Sequence, residues 1–209
     1  MPPPTRTQHW DDVYTRKAEE DVSWFQPEAA VSLALIARCA PALDARLLDV
    51  GGGASRLVDG LLERGFSNVT VLDLSAAALA KARERLGGRA REVEWLTQDV
   101  TTFAPAVPYA VWHDRAVFHF LTAVSDRAAY VQVLERALAP GGHAIIGTFA
   151  PDGPERCSGL DVARYDAPGL VAALGPAFTL LESLRHEHVT PAGKMQPFTF
   201  VRLARTGRA

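Results

Sequence analysis

Three consecutive glycines stand between an apolar run and a helix-like segment, in Leu47-Leu48-Asp49-Val50-Gly51-Gly52-Gly53-Ala54-Ser55. A turn of this kind bends tightly and lets a ligand approach the backbone without interference from Cβ atoms. The helix after it presents unpaired N–H groups that suit an anion. The run continues Ala54-Ser55-Arg56, so it lacks the Gly-Lys-Ser/Thr ending of a phosphate-binding loop. A dinucleotide turn needs a small residue where Arg56 stands, which weakens a nicotinamide reading. Asp49, just ahead of Gly51, can face a cation or accept from an ammonium group; beside a pyrophosphate it would be repelled.

Other residues extend this chemistry. Asp73 ends the next apolar run, 20 residues beyond Gly53. A carboxylate there can accept hydrogen bonds from both hydroxyls of a ribose. Asp99, in Thr97-Gln98-Asp99-Val100, can accept from an exocyclic amine such as that of adenine, or simply form a turn. Asp114 and Arg115 follow a further apolar run and are candidates for the acceptor side of a reaction. Arg115 can hold a carboxylate in a bidentate way, and the pair can equally be a structural ion pair. His119, between Phe118 and Phe120, is a candidate general base or a packed histidine. Cys157 sits in an irregular loop beside Arg156 and would need a depressed pKa to act as a nucleophile. His186 and His188 share one face of a strand but lack further ligands, so no metal site is expected.

The elements that must position these residues alternate. Short apolar runs at Arg46–Val50, Asn68–Leu74, Val93–Leu96, Tyr109–His113 and His143–Phe149 read as five strands. Helical segments lie between them: Arg56–Arg64, Ala76–Leu86 with Ser75 as cap, and Arg127–Leu138 with Ser125 or Asp126 as cap. A short helix capped by Asp166 follows, ending at Gly175. Phe178–Val189 and Pro197–Leu203 flank a Thr190-Pro191-Ala192-Gly193 turn and read as an antiparallel hairpin. Ahead of the first strand come a polar helix at His9–Lys17 and an amphipathic one at Glu28–Ala40, with residues 1–8 as a frayed tail. Alternating strands and helices predict a doubly wound, mostly parallel α/β sandwich, seven-stranded once the C-terminal antiparallel hairpin joins it. Ligands bind such sheets at the C-terminal ends of the strands.

Composition narrows the function classes. The chain has 209 residues, 48% of them hydrophobic, and a net charge of −2. One domain is expected, with 1–44 forming an N-terminal helical lid and 45–209 the α/β core. The near-neutral charge argues against a nucleic-acid partner, and no apolar run is long enough to cross a membrane. Two cysteines and no secretory leader predict a reduced, cytoplasmic setting.

Taken in order, these residues resemble the class I S-adenosylmethionine-dependent methyltransferases. The matching features are Asp49–Gly53, the acid Asp73, the pair Gln98-Asp99, the segment Val111–Leu121 and the Pro140-Gly141-Gly142 turn. The resemblance implies S-adenosyl-L-methionine as cofactor. It implies that Asp49, Gly51, Gly52 and Gly53 surround the methionine part and that Asp73, with Leu74 beside it, holds the ribose. It further implies Gln98, Asp99 and Val100 around the adenine, and Arg115 near the sulfonium and acceptor. The start, His9-Trp10-Asp11-Asp12-Val13-Tyr14 followed by Ser23-Trp24-Phe25, is similar to the lid of one subgroup, in which Trp10, Tyr14 and Trp24 would cover the cofactor. That subgroup includes protein-lysine methyltransferases.

The resulting expectation is methyl transfer to a small molecule, with a protein lysine as the alternative acceptor. A nicotinamide oxidoreductase on the same sheet would need a Tyr-x-x-x-Lys constellation, and the chain has only three lysines. A module that holds the cofactor without turnover is the third reading.

Overall fold

The computed structural model describes residues 4–206. Its main sheet contains β1 (Leu47–Val50), β2 (Val69–Asp73), β3 (Val93–Thr97), β4 (Tyr109–Arg115), β5 (Leu138–Phe149), β8 (Phe178–Val189) and β9 (Met195–Arg205). The strand order is β3-β2-β1-β4-β5-β9-β8. The first five run parallel, while β9 pairs antiparallel with both β5 and β8. The helices are α1 (Arg6–Arg16), α2 (Ala30–Arg38), α3 (Leu57–Glu63), α4 (Ala76–Leu86), α5 (Val124–Ala137) and α6 (Ala167–Leu174). A two-stranded ribbon, β6 (Arg156–Cys157) and β7 (Leu160–Asp161), interrupts the connection from β5 to α6. The doubly wound sandwich with its C-terminal hairpin is the expected one.

Several local expectations need correction. The first helix starts at Arg6, within the segment read as a frayed tail, of which residues 1–3 lie outside the described residues. Its start is a capping box: Thr5 Oγ1 accepts from the Gln8 N–H at 3.2 Å, and Gln8 Oε1 accepts from the Thr5 N–H at 2.9 Å. The fifth helix begins at Val124 after Ala123, so neither Ser125 nor Asp126 caps it, and no side-chain cap is present. The strand expected from His143 begins at Leu138 and passes through Pro140-Gly141-Gly142. There Gly141 adopts φ 72°, and the register with β4 shifts between Tyr109 and Val111. The Ser75 and Asp166 caps form as expected.

Both faces of the sheet are covered, so its strands read as continuous apolar runs. On one face Leu48, Trp112, Ile146 and Val201 pack with Tyr130 and Leu134 of α5 and Leu170 and Leu174 of α6. On the other, Leu47, Val71, Val111, Ile145 and Phe200 pack with Leu33 and Ile36 of α2 and Leu57 and Leu61 of α3. Strand residues alternate between the faces. At the end of β4 this alternation separates neighbours: Asp114 meets α5 while His113 meets α2.

The N-terminal segment is tied across the strand ends. Asp11 on α1 accepts from Ser75 Oγ at 2.7 Å and from the Ala77 N–H at 3.2 Å, at the start of α4. A carboxylate is favourable at a helix N-terminus. Glu19 bridges Arg56 at 2.8 Å and Arg85 at 2.6 Å, and Arg85 also holds Asp59 at 2.8 Å. These contacts hold α1 and the segment after it across the C-terminal ends of the strands.

Candidate functional site

A crevice enclosing about 870 Å³, part of it open to solvent, crosses the C-terminal strand ends beneath α1. Its walls bring together Trp10, Tyr14, Trp24, Gly51, Asp73, Leu74, Gln98, Asp99, Val100 and Arg115, the residues the sequence placed around a cofactor. A second cavity adjoins it and shares Tyr14, Trp24, Gly51 and Arg115; Asp49 and Gly52 line that one. Gly53 lines neither, but it abuts Asp73 and Tyr14.

The glycine turn is glycine for steric reasons. Gly51 has φ +64°, and a Cβ there would stand 2.1 Å from Val117 Cγ2. Gly53 has φ +45°, and a Cβ there would stand 2.9 Å from Asp73 Oδ2 and 3.2 Å from the Tyr14 hydroxyl. Side chains at these positions would fill the space where the turn, the second strand end and the lid converge.

Asp73 sits at the end of β2 with Oδ1 accepting from the Ser75 N–H at 2.7 Å. Burial is the main cause that raises its pKa to about 7, with Asp49 and Asp11 adding to the rise. Donors from a ligand, such as a vicinal diol, would favour its ionised form. Asp99 uses Oδ1 to cap the short turn after β3, accepting from the Thr101 N–H at 2.8 Å, and Oδ2 faces Arg6 at 3.2 Å. Arg6 also lines the crevice and was not singled out in the sequence.

The N-terminal aromatics form a connected set. Trp24 Nε1 donates to the Tyr14 hydroxyl at 3.1 Å, and Trp10 meets both Trp24 and Phe120 edge-on, at 5.8 Å and 4.9 Å. Burial holds the Tyr14 phenol protonated well beyond its ordinary range.

Arg115 stands where the two cavities meet. Its Nη1 donates to the Trp24 carbonyl at 3.0 Å, and its guanidinium lies 4.8 Å over the Phe198 ring. Nε and Nη2 are buried and have no partner among the described residues. Burial lowers its pKa to about 10, so it stays charged at neutral pH. Asp114 and Arg115 do not pair with each other.

Two residues assigned to the acceptor side do not reach it. Asp114 lines neither cavity. Its Oδ1 accepts from the Val117 N–H at 2.8 Å; its Oδ2 accepts from the Phe118 N–H at 3.1 Å and from Tyr130 Oη at 2.6 Å. It braces the turn that carries Ala116, at φ 73°, and Val117 into the crevice wall. His119 is fully buried behind the wall, and its Nδ1 accepts from the Phe149 N–H at 3.3 Å. Burial, aided by Arg115, lowers its pKa to about 3, which makes it a poor base. Cys157 does line the crevice, but burial raises its pKa to about 11, against a nucleophilic thiolate.

One polar chain escaped the sequence. His113 Nδ1 lies 2.7 Å from Asp49 Oδ1, and its Nε2 lies 2.8 Å from Ser32 Oγ on α2. Asp49 and His113 are register partners on β1 and β4, a pairing that local sequence does not reveal. Among the described residues, no cluster of three or more His, Cys, Asp or Glu is placed to hold a metal.

A parallel sheet reversed at its last strands, with a glycine turn after the first strand and an acid ending the second, defines the seven-stranded class I methyltransferase architecture. Residues 48–144 match the model of a methyltransferase domain family. Among relatives, a ubiquinone biosynthesis O-methyltransferase of Alkalilimnicola ehrlichii is 36% identical over 116 residues, 54% of this chain and 46% of that protein. Among solved structures, one concerned with conversion of a disulfide bond into a thioacetal group during echinomycin biosynthesis aligns with a TM-score of 0.77 at 20% identity, covering 97% of this chain and 94% of the other. The 1,6-didemethyltoxoflavin-N1-methyltransferase of Burkholderia thailandensis, with 1,6-didemethyltoxoflavin and S-adenosylhomocysteine bound, aligns with a TM-score of 0.67 at 23% identity, covering 94% of this chain and 82% of that one.

Proposed function

We propose that this protein transfers the methyl group of S-adenosylmethionine to a small-molecule acceptor. The observation that carries the proposal is the convergence of the glycine turn, Asp73 and the lid aromatics on one crevice. The cradle fits the cofactor in shape and donor set. Gly51 and Gly53 leave room that a Cβ would take, Asp73 offers acceptors for a diol, and Asp49 stands beside the glycine turn at the methionine end. In this reading Gln98, Asp99 and Val100 border the adenine, while Leu74 stands beside the ribose acid. Arg115 acts on the cofactor side by holding the Trp24 carbonyl and with it the lid.

When bound, the cofactor supplies a methyl group made electrophilic by a positively charged sulfur. The protein's work is alignment and exclusion of water, and near-attack alignment is worth about 7–11 kcal/mol. Trp10, Tyr14 and Trp24 close the crevice from above. Outside the carboxylate given to the ribose, Asp73, the crevice offers no evident general base: Tyr14 and Cys157 are held protonated, and Asp114 and His119 lie outside. The acceptor therefore arrives as a ready nucleophile. A relative named for ubiquinone biosynthesis and a structural neighbour named for N1-methylation of 1,6-didemethyltoxoflavin support a small acceptor. A lysine side chain is disfavoured, because the buried Arg115 cation would repel its ammonium form. A cytoplasmic location remains our proposal; no described helix is long and apolar enough to cross a membrane.

Asp73 provides the test. Its folded pKa, about 7, lies above the ordinary carboxylate range. The folded state thus binds more protons than the unfolded one between roughly pH 4 and pH 7, and the ligand-free protein loses stability as pH rises through that window. Cofactor hydroxyls favour the ionised form, so S-adenosylhomocysteine should bind more tightly as pH rises through about 7. Asp73→Asn should raise the melting temperature of the ligand-free protein at neutral pH. It should also weaken S-adenosylhomocysteine binding by about 1.5–3 kcal/mol through lost charge-assisted hydrogen bonds. Calorimetry across pH checks both. Unchanged affinity in the variant would remove Asp73 from the site, and failure of the unaltered protein to bind S-adenosylhomocysteine would refute the function.

A further inference from the structure

We propose that the acceptor is a small aromatic carboxylate, its ring lying among Phe120, Phe149 and Phe198 and its carboxylate bridging Nε and Nη2 of Arg115. The inference rests on the methyl-transfer reading above and adds the substrate class to it.

Sheet order divides the crevice. Asp73 ends β2 and Asp99 follows β3, on one side of the glycine turn that leaves β1. Arg115 ends β4, Phe149 ends β5, and Phe198 is the register partner of Phe149 on β9, on the other side. With neighbouring strands about 4.8 Å apart, β2 and β9 stand roughly 19 Å apart across the sheet. A nucleoside held at Asp73 and Asp99 therefore leaves the β4-β5-β9 side for the acceptor.

That side is aromatic with one cation. Phe149 and Phe198 meet edge-on at 5.0 Å, and Phe120 closes the space towards Trp10 at 4.9 Å. Flat rings suit such walls, through stacked and edge-on contacts. Arg115 is half-buried, its Nε and Nη2 are out of solvent, and no carboxylate stands within ion-pair distance of it among the described residues. A buried charge left unpaired is costly, so the arrangement calls for an anion from a ligand. The geometry specifies which anion. Nη1 is committed to the Trp24 carbonyl, leaving Nε and Nη2 without partners. Those two N–H groups form one side of the guanidinium fork, and a planar carboxylate matches that side with two parallel hydrogen bonds. The guanidinium carbon lies 4.8 Å from the centroid of the Phe198 ring, which sets the cation against the aromatic wall.

The competing use of this edge is the carboxylate of the cofactor's methionine, and the experiment separates the two. Protein saturated with S-adenosylhomocysteine is titrated with three probes of equal shape: 2-naphthoate, 2-naphthamide and 2-naphthylmethylamine. The expected result is naphthoate binding at least about ten-fold more tightly than the amide, with the amine weakest. Arg115→Gln should abolish that preference, read as the ratio of naphthoate to naphthamide affinity at saturating S-adenosylhomocysteine, whatever the variant's own affinity for the cofactor. Phe198→Leu should weaken naphthoate and naphthamide alike and leave their ratio unchanged. Equal binding of the three probes by the unaltered protein overturns the inference, whether or not the variants fold. A carboxylate preference that is present without S-adenosylhomocysteine and lost once it saturates the protein also overturns it, by assigning the edge to the cofactor. Failure of the unaltered protein to bind S-adenosylhomocysteine is a different result, which refutes the methyl-transfer reading itself.

Discussion

Replacing Asp114 by alanine is expected to lower the unfolding free energy by about 3–5 kcal/mol, because it strands buried donors. Three groups lose their acceptor at once: the Val117 and Phe118 N–H groups and the Tyr130 hydroxyl. The loss extends into the core, since Tyr130 Oη also accepts from Trp112 Nε1 at 2.9 Å and Trp112 is fully buried. Tyr130→Phe keeps the ring and removes only the hydroxyl, so it should cost about 1–2 kcal/mol, the scale of one or two buried hydrogen bonds. Burial raises the Asp114 pKa to about 6 despite these donors. Its folded pKa is thus above its unfolded value, so its own titration makes stability fall as pH rises from about 4 to about 6. Chemical denaturation of the two variants checks the ordering. Asp114→Ala that folds with normal stability yet transfers no methyl group would return this carboxylate to the chemistry.

Gly51→Ala is expected to abolish measurable cofactor binding and to destabilise the fold. The left-handed conformation at φ +64° costs an L-residue about 1–2 kcal/mol before any contact is considered. The added methyl would overlap Val117 Cγ2, 2.1 Å away, and Val117 forms part of the crevice wall. Two relaxations are open. The turn can open, which moves Asp49 and the start of α3, or Val117 can be pushed into the crevice. Either one closes the space that a methionine tail would use. The affinity for S-adenosylhomocysteine should fall by more than about 100-fold, equivalent to about 2.7 kcal/mol or more. Gly141→Ala is a useful control: φ is 72°, but a Cβ there meets nothing within 4 Å. It should show the backbone cost alone and bind S-adenosylhomocysteine normally. Equal binding losses in the two variants would mean that conformation, and not the clash with Val117, governs the turn.

The two variants act on one structural device from opposite ends. Asp114 fixes the turn after β4, and that turn carries Val117 against Gly51. A change at either end displaces the same wall, although Asp114 itself never faces the crevice.

The proposed cofactor half of the site is legible in the sequence because each part leaves a local mark. A positive φ demands glycine, a strand end followed by a capped helix marks Asp73 and Ser75, and clustered aromatics ahead of the first strand need cover. The alternation of apolar runs and caps likewise carries the parallel sheet and its closing hairpin. Element ends are less legible: the Thr5–Gln8 capping box starts α1 ahead of its apolar residues, and α5 starts at Val124 without a side-chain cap.

The acceptor half could be decided only by the tertiary structure. Sequence alternation shows that Asp114 and Arg115 face opposite sides of β4. It does not show which side carries the crevice, because that depends on which helices cover each face. The fold sends Asp114 to Tyr130 of α5 and leaves Arg115 beneath the lid. It buries His119 among Phe120 and Phe149, where a histidine stays neutral. It also brings Asp49 and His113 side by side, since β1 and β4 become neighbours only when the chain crosses the sheet. Residue types set what chemistry is available; long-range packing selects the groups that meet a ligand, because burial, face and strand order are properties of the assembled sheet.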